Sequence, residues 1–156
     1  DVDLSYHAGI IDADGFISAH RRKHGDSTYH SPLIGISGTL SDPHRLAKSI
    51  WGGSLFEYAP KNTKHRLQYQ WQATGIKSAK AIRDILPYLR SKRAQALAAL
   101  EMWGLIEGGM HRTDAILSEI ADRLSAMNMR NPPKKRPIPA DLMVRQFPSL
   151  LTGEPA

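Results

Sequence analysis

The nine residues His7-Ala8-Gly9-Ile10-Ile11-Asp12-Ala13-Asp14-Gly15 decide how the rest of the chain is read. They close a stretch, LSYHAGIIDA, whose small and apolar residues predict a short helix over 4–13, stopped at Gly15, which can take the left-handed C-terminal conformation at no steric cost. Two aspartates then stand at the helix C-terminus, where the negative end of the macrodipole disfavours anions by about 0.3–1 kcal/mol each. A divalent cation held by oxygen ligands would offset that penalty. An EF-hand loop is excluded, because in DADGFISAHRRK the fifth position is Phe16 and the twelfth Lys23. From spacing alone, an ordinary Asx-capped turn and a metal site stay equally open.

Outward from this stretch, Phe16 to His24 and Tyr29 to Leu40 predict a β-hairpin about Gly25–Ser27, with Ile34, Ile36, Gly38 and Leu40 on one face and Gly35, Ser37 and Thr39 on the other. SDPHRLAKSIWGG predicts a helix with Ser41 or Asp42 as N-cap, Pro43 at its first position and a Gly-Gly stop. A second strand pair follows, Ser54 to Ala59 and His65 to Ala73, in which Leu67, Tyr69, Trp71 and Ala73 alternate with Gln68, Gln70 and Gln72. Helices are predicted over 78–86, 90–105 and 113–128, the last with Thr113 as N-cap. NPPKKRPIPA, with four prolines, predicts an extended linker and opens a Pro/Lys-rich tail over 131–156, leaving one domain over 1–130. The fold class is therefore α+β in the order α-β-β-α-β-β-α, with a four-stranded antiparallel sheet, helices on one face and extra C-terminal helices. Trp51, Trp71 and Trp103 are expected in the core.

The chain carries 21 Lys and Arg against 15 Asp and Glu, a net charge of +6, among 156 residues of which 41% are hydrophobic. Residues 16–100 hold 14 basic against 4 acidic groups, so the positive field belongs to the predicted sheet region and points to a polyanion such as nucleic acid. No apolar run long enough for a membrane span is present, and DVDLSYHAG has no signal-peptide pattern, so no membrane partner is expected. The absence of cysteine excludes disulfides, thiolate metal sites and a cysteine nucleophile, and fits an intracellular setting.

HAGIIDADG resembles the motif of the LAGLIDADG homing endonucleases, departing from it at His7 and Ile10. ISGTLSDPHRLAKSIWGGSLF resembles the family's strand, helix and Gly-Gly-strand segment, and ILPYLRSKRAQALAAL its later helix pair with Pro-aromatic-Leu-x-x-Lys. The resemblance covers roughly residues 4–105. It implies a double-strand DNA endonuclease that cleaves a long, partly palindromic site, as encoded by mobile introns. One motif per chain implies a homodimer, with Ala8 and Gly9 allowing close approach of the motif helices. It implies Asp14 as metal ligand and catalytic residue, the Ala13 carbonyl as a further ligand, Mg²⁺ as the cofactor with Mn²⁺ or Ca²⁺ able to substitute in binding, and Lys92 as the active-site lysine. Asp12 is expected to serve its turn and not the metal. Thr39, Ser41 and Asp42 are the alternatives for placing solvent, and the glutamine some members carry there is absent.

Alternation from Asp14 makes Ser18, His20, Arg22 and His24, then Ser37 and Thr39, then Gln68, Gln70 and Gln72 the expected DNA-binding positions, since Arg pairs with guanine and Gln with adenine in the major groove. Arg21, Lys23, Lys61, Lys64, Arg66, Arg90 and Arg93 are read as phosphate contacts. His20 and His24 as a zinc pair lack third and fourth ligands. The basic KKR run of the tail suits a localisation signal or a phosphate-touching linker. The alternative activity is binding alone: a splicing maturase on intron RNA, or a regulator that keeps the fold without cleavage.

Overall fold

The computed structural model describes residues 1–61, 64 and 66–129. The tail over 131–156 and the predicted strand start at position 65 lie outside the described residues. The elements are α1 (Val2–Asp14), β1 (Gly15–His24), β2 (Ser27–Gly38), α2 (Ser41–Trp51), β3 (Ser54–Tyr58), β4 (Gln68–Thr74), α3 (Gly75–Ile85), a 3₁₀ turn (Leu86–Tyr88), α4 (Arg93–Glu107) and α5 (Ala115–Asn128). The strands form one antiparallel sheet in the order β1-β2-β4-β3, the α+β architecture expected.

Register fixes the two faces. Ile17 pairs with Ile34, Ile34 with Ala73, and Ile36 with Trp71. All five are buried, and they pack with Ile11 of α1, Ile82 and Ile85 of α3, Met102 of α4 and Leu117 and Leu124 of α5. The three tryptophans are buried as expected. Trp71 donates its indole N–H to Gly52 O at 2.8 Å, and Trp51 donates to Asp84 Oδ2 at 2.9 Å, so their polar ends are satisfied.

Several local expectations are corrected. Gly15 is not left-handed: its φ is −88° and ψ −177°, ordinary extended backbone. What requires glycine is crowding, since a Cβ would stand 2.6 Å from Ile11 Cδ1 and 2.7 Å from Ile11 Cα. Gly52 and Gly53, by contrast, do take positive φ, 76° and 91°, to turn the chain from α2 into β3. The strand β2 ends at Gly38, so Thr39 and Leu40 fall outside the alternation; Leu40 is 67% exposed and is itself the N-cap of α2, with Pro43 third in the helix. The N-cap of α5 is Asp114, whose carboxylate accepts the Ile116 N–H at 2.9 Å, and not Thr113. Ala8 is fully buried in the chain's own core, because its position on α1 faces the sheet, so it offers no surface to a second chain, whereas Gly9 is exposed with open space at its Cβ position.

His7, a departure from the motif, is 1% exposed. Its Nδ1 lies 2.9 Å from Asp3 O and its Nε2 3.0 Å from Pro43 O, so the ring ties α1 to the start of α2 where an apolar residue would only fill space.

Candidate nucleic-acid interface

The strand residues that point away from the helices gather the expected polar set. Along β1 these are Ser18, His20, Arg22 and His24, opposite Leu33, Ser31, Tyr29 and Ser27 of β2. Across the other strands Ser37 lies beside Gln70 and Gly35 beside Gln72, with Phe56 and Ser54 of β3 beyond them. Gln68 closes this face against Tyr58. Sequence reasoning missed the apolar members of the face: the Phe16 ring lies over Gly35, and Phe56 and Tyr58 are 49% and 48% exposed. Pairing of Phe16 with Gly35 in the β1–β2 register was the signal that could have found the first.

Arg21 does not belong to this face. Odd positions of β1 turn toward the helices, and Arg21 forms an ion pair with Asp122 of α5. A different arginine arrives instead: Arg112, in the α4–α5 connection, whose carbonyl accepts the His30 N–H at 2.9 Å and so covers the edge of β2 beyond the end of β4. Arg112 shares a cleft of about 440 Å³ with His20, Arg22, His24 and Thr74 at the far end of the sheet, and its guanidinium sits 5.9 Å from the Trp103 ring centroid. Arg93, another expected phosphate contact, donates to Leu86 O at 2.9 Å.

At the near end, α1 and the start of α4 are clasped reciprocally. Asp12 Oδ2 accepts the Arg90 N–H at 2.8 Å and Oδ1 the Lys92 N–H at 3.0 Å. Lys92 Nζ donates in return to Ile11 O at 2.7 Å and Asp12 O at 3.2 Å, which are carbonyls of the last turn of α1. Burial alone would push the Asp12 carboxyl up, but the N–H bonds from Arg90 and Lys92, with Ser91 adding to them, hold it below the usual carboxylate range. Asp12 thus serves the start of α4 and not its own turn. The last turn of α1 contains no basic residue, and Lys92 supplies that charge from 80 positions away.

Asp14, at the end of the same helix, is exposed and makes no hydrogen bond or ion pair among the described residues. It lines a cleft of about 270 Å³ with Ser37, Thr39, Tyr6 and His44, whereas Lys92 and Ala13 line another, of about 630 Å³, that runs past Phe16 and Ser18 at the β1 edge. The two expected catalytic side chains therefore reach the end of α1 from separate clefts. Of the three candidates for placing solvent, Thr39 lines the Asp14 cleft, and Ser41 and Asp42 do not. Among the described residues no group of three or more His, Cys, Asp or Glu could hold a metal, His20 and His24 included. Asp14 thus offers a hard oxygen donor at a helix C-terminus, a group that fits a hard divalent cation and that alone does not complete its coordination. No helix among the described residues is long and apolar enough to cross a membrane.

This arrangement, a four-stranded sheet with a polar outer face and a carboxylate-ended helix at its rim, is the LAGLIDADG homing-endonuclease fold. The homing endonuclease I-CvuI, crystallised on an I-CreI target, aligns with a TM-score of 0.60 and 20% identity over 99% of this chain and 97% of that one. The archaeal intron-encoded homing endonuclease I-Vdi141I, complexed with DNA, aligns with a TM-score of 0.66 and 19% identity over 81% of this chain and 84% of that one. The LAGLIDADG homing endonuclease I-LtrWI, bound to target DNA, aligns with a TM-score of 0.58 and 19% identity over 82% of this chain and 45% of that one. No family model and no curated protein matches the sequence.

Proposed function

We propose that the protein is a sequence-specific, divalent-metal-dependent endonuclease of double-stranded DNA that acts as a homodimer. The observation that carries this reading is the outer face of the sheet, where Arg22, His20 and the three glutamines share one surface whose rim ends at Asp14. The ten residues of β1, at about 3.3 Å each, span about 33 Å, close to one turn of B-DNA, and three strand spacings of about 4.8 Å suit the width of a major groove. Glutamine and arginine there read adenine and guanine edges, and Arg112 and the exposed lysines neutralise phosphates.

Cutting two strands needs two reactive corners, and one chain carries one Asp14. The exposed side of α1, with Val2 at 82%, Tyr6 at 50% and Gly9 open, is the surface through which a second copy would bring its own corner alongside. The structural neighbour I-CvuI was crystallised on DNA with 2 mM Mg, where the DNA was not cleaved, and with 2 mM Ca, which is consistent with a divalent ion at this site. A divalent ion bound there supplies an activated water and charge stabilisation at the leaving oxygen. Asp14 and the Ala13 carbonyl would hold it, while Lys92 presents positive charge beside the phosphate and Thr39 orients solvent.

The test is cleavage of a duplex selected from a randomised library by affinity in Ca²⁺ and then moved to Mg²⁺. The wild-type protein is expected to cut both strands, leaving short 3′ overhangs, and Asp14→Asn to bind the same duplex without cutting it. Selection of a duplex that the wild type never cuts would favour the binding-only reading.

A further inference from the structure

One polar side chain near the Lys92 corner is left over by the fold. Gln95 is 5% exposed and lies in the first turn of α4, three residues after the N-cap Lys92. A glutamine at that position ordinarily reaches back to the N–H of the N-cap residue. Here that N–H is already taken, by Asp12 Oδ1 at 3.0 Å. The Gln95 carboxamide makes no hydrogen bond among the described residues, and it is not sealed in the core as Ser78 Oγ is. It opens into the cleft of about 630 Å³ that also holds Lys92, Ala13, Ser18 and Asn128.

We propose that the Gln95 carboxamide is a DNA-phosphate ligand of this cleft, donating an N–H to a non-bridging oxygen of the phosphate that lies beside Lys92 when DNA is bound. This rests on the endonuclease reading. A phosphate oxygen only accepts hydrogen bonds, so it suits an amide NH₂ and an ammonium together. The cleft reaches the outer face of the sheet past Phe16, Ser18 and Leu33, which gives a backbone strand lying on that face a way in.

Two variants test this: Gln95→Leu, of similar size without polar atoms, and Gln95→Glu, of the same shape with acceptors only. The readouts are Kd for the wild-type-selected duplex in Ca²⁺, the single-turnover cleavage rate on it in Mg²⁺, and thermal stability. Both variants are expected to keep Kd within about threefold and to lose about 100- to 1,000-fold in rate, the range of a lost transition-state donor. Gln95→Glu should lose at least as much as Gln95→Leu, since a carboxylate repels the phosphate. Gln95→Leu should melt no lower than the wild type. A rate within twofold of wild type in either folded variant, or a rate loss that only follows a fall in melting temperature, overturns the proposal. Failure of the wild type to cut any selected duplex instead overturns the endonuclease reading itself, together with everything built on it.

Discussion

Asp12→Asn isolates the clasp between α1 and α4. The carboxylate accepts two backbone N–H bonds, at 2.8 Å from Arg90 and 3.0 Å from Lys92. An amide keeps one acceptor and turns an NH₂ toward the other donor. Hydrogen bonds to a charged group contribute about 1.5–3 kcal/mol each when shielded. Asp12 is half-buried, so solvent screening brings the expected loss down to about 1–3 kcal/mol for the pair. The pH dependence has a definite sign. The folded-state pKa lies below its unfolded value, near 3.8, so the stabilisation is fully present above that value and is lost as pH falls through the folded-state pKa. Urea denaturation followed by tryptophan fluorescence should show the full difference between wild type and variant at pH 7 and a shrinking one below about pH 4. A difference under about 0.5 kcal/mol at pH 7, or one unchanged between pH 7 and pH 3, would refute the clasp as described.

Other perturbations separate stability from chemistry. Asp14→Asn should leave the fold as stable as wild type or raise stability by about 0.3–1 kcal/mol, since it removes an anion from a helix C-terminus, while abolishing cleavage; the check is denaturation and cleavage on one preparation. Gly15→Ala should cost about 1–3 kcal/mol by urea titration, because its Cβ would meet the Ile11 backbone at 2.7 Å and not merely a flexible side chain. Arg112→Ala should weaken DNA binding across all sequences and flatten the slope of log affinity against log salt by about one unit, measured by fluorescence anisotropy.

What the sequence made legible follows from short range. Period-two alternation in Gln68 to Thr74 and in Leu33 to Gly38 sets the two faces of the sheet, and the register confirms which residues share them. The Gly-Gly turn and the helical spacing of Ile82, Ile85 and Leu86 needed no tertiary information either. Thr39 and Leu40 were misread because the pattern continues by chance past Gly38, where the chain turns into α2. The clasp was illegible for a different reason. Asp12 meets Arg90 across 78 positions, and neither residue's neighbours announce the other. Asp12 was therefore expected to serve its own turn, whereas it is occupied by α4, and of the two aspartates Asp14 is left without a protein partner among the described residues. Gln95 escaped notice likewise, since its place in one cleft with Lys92 and Ser18 is set by tertiary packing.

The central claim is that DNA lies on the outer face of the sheet and is cut at the Asp14 corner. Sequencing both strands of the cleaved library duplex at single-nucleotide resolution tests it most directly. The account predicts one cut per strand, staggered by a few base pairs about the centre of a partly palindromic site and absent with Asp14→Asn. Scattered nicks without a shared site, or the same paired cuts made by the Asp14→Asn protein, would contradict it.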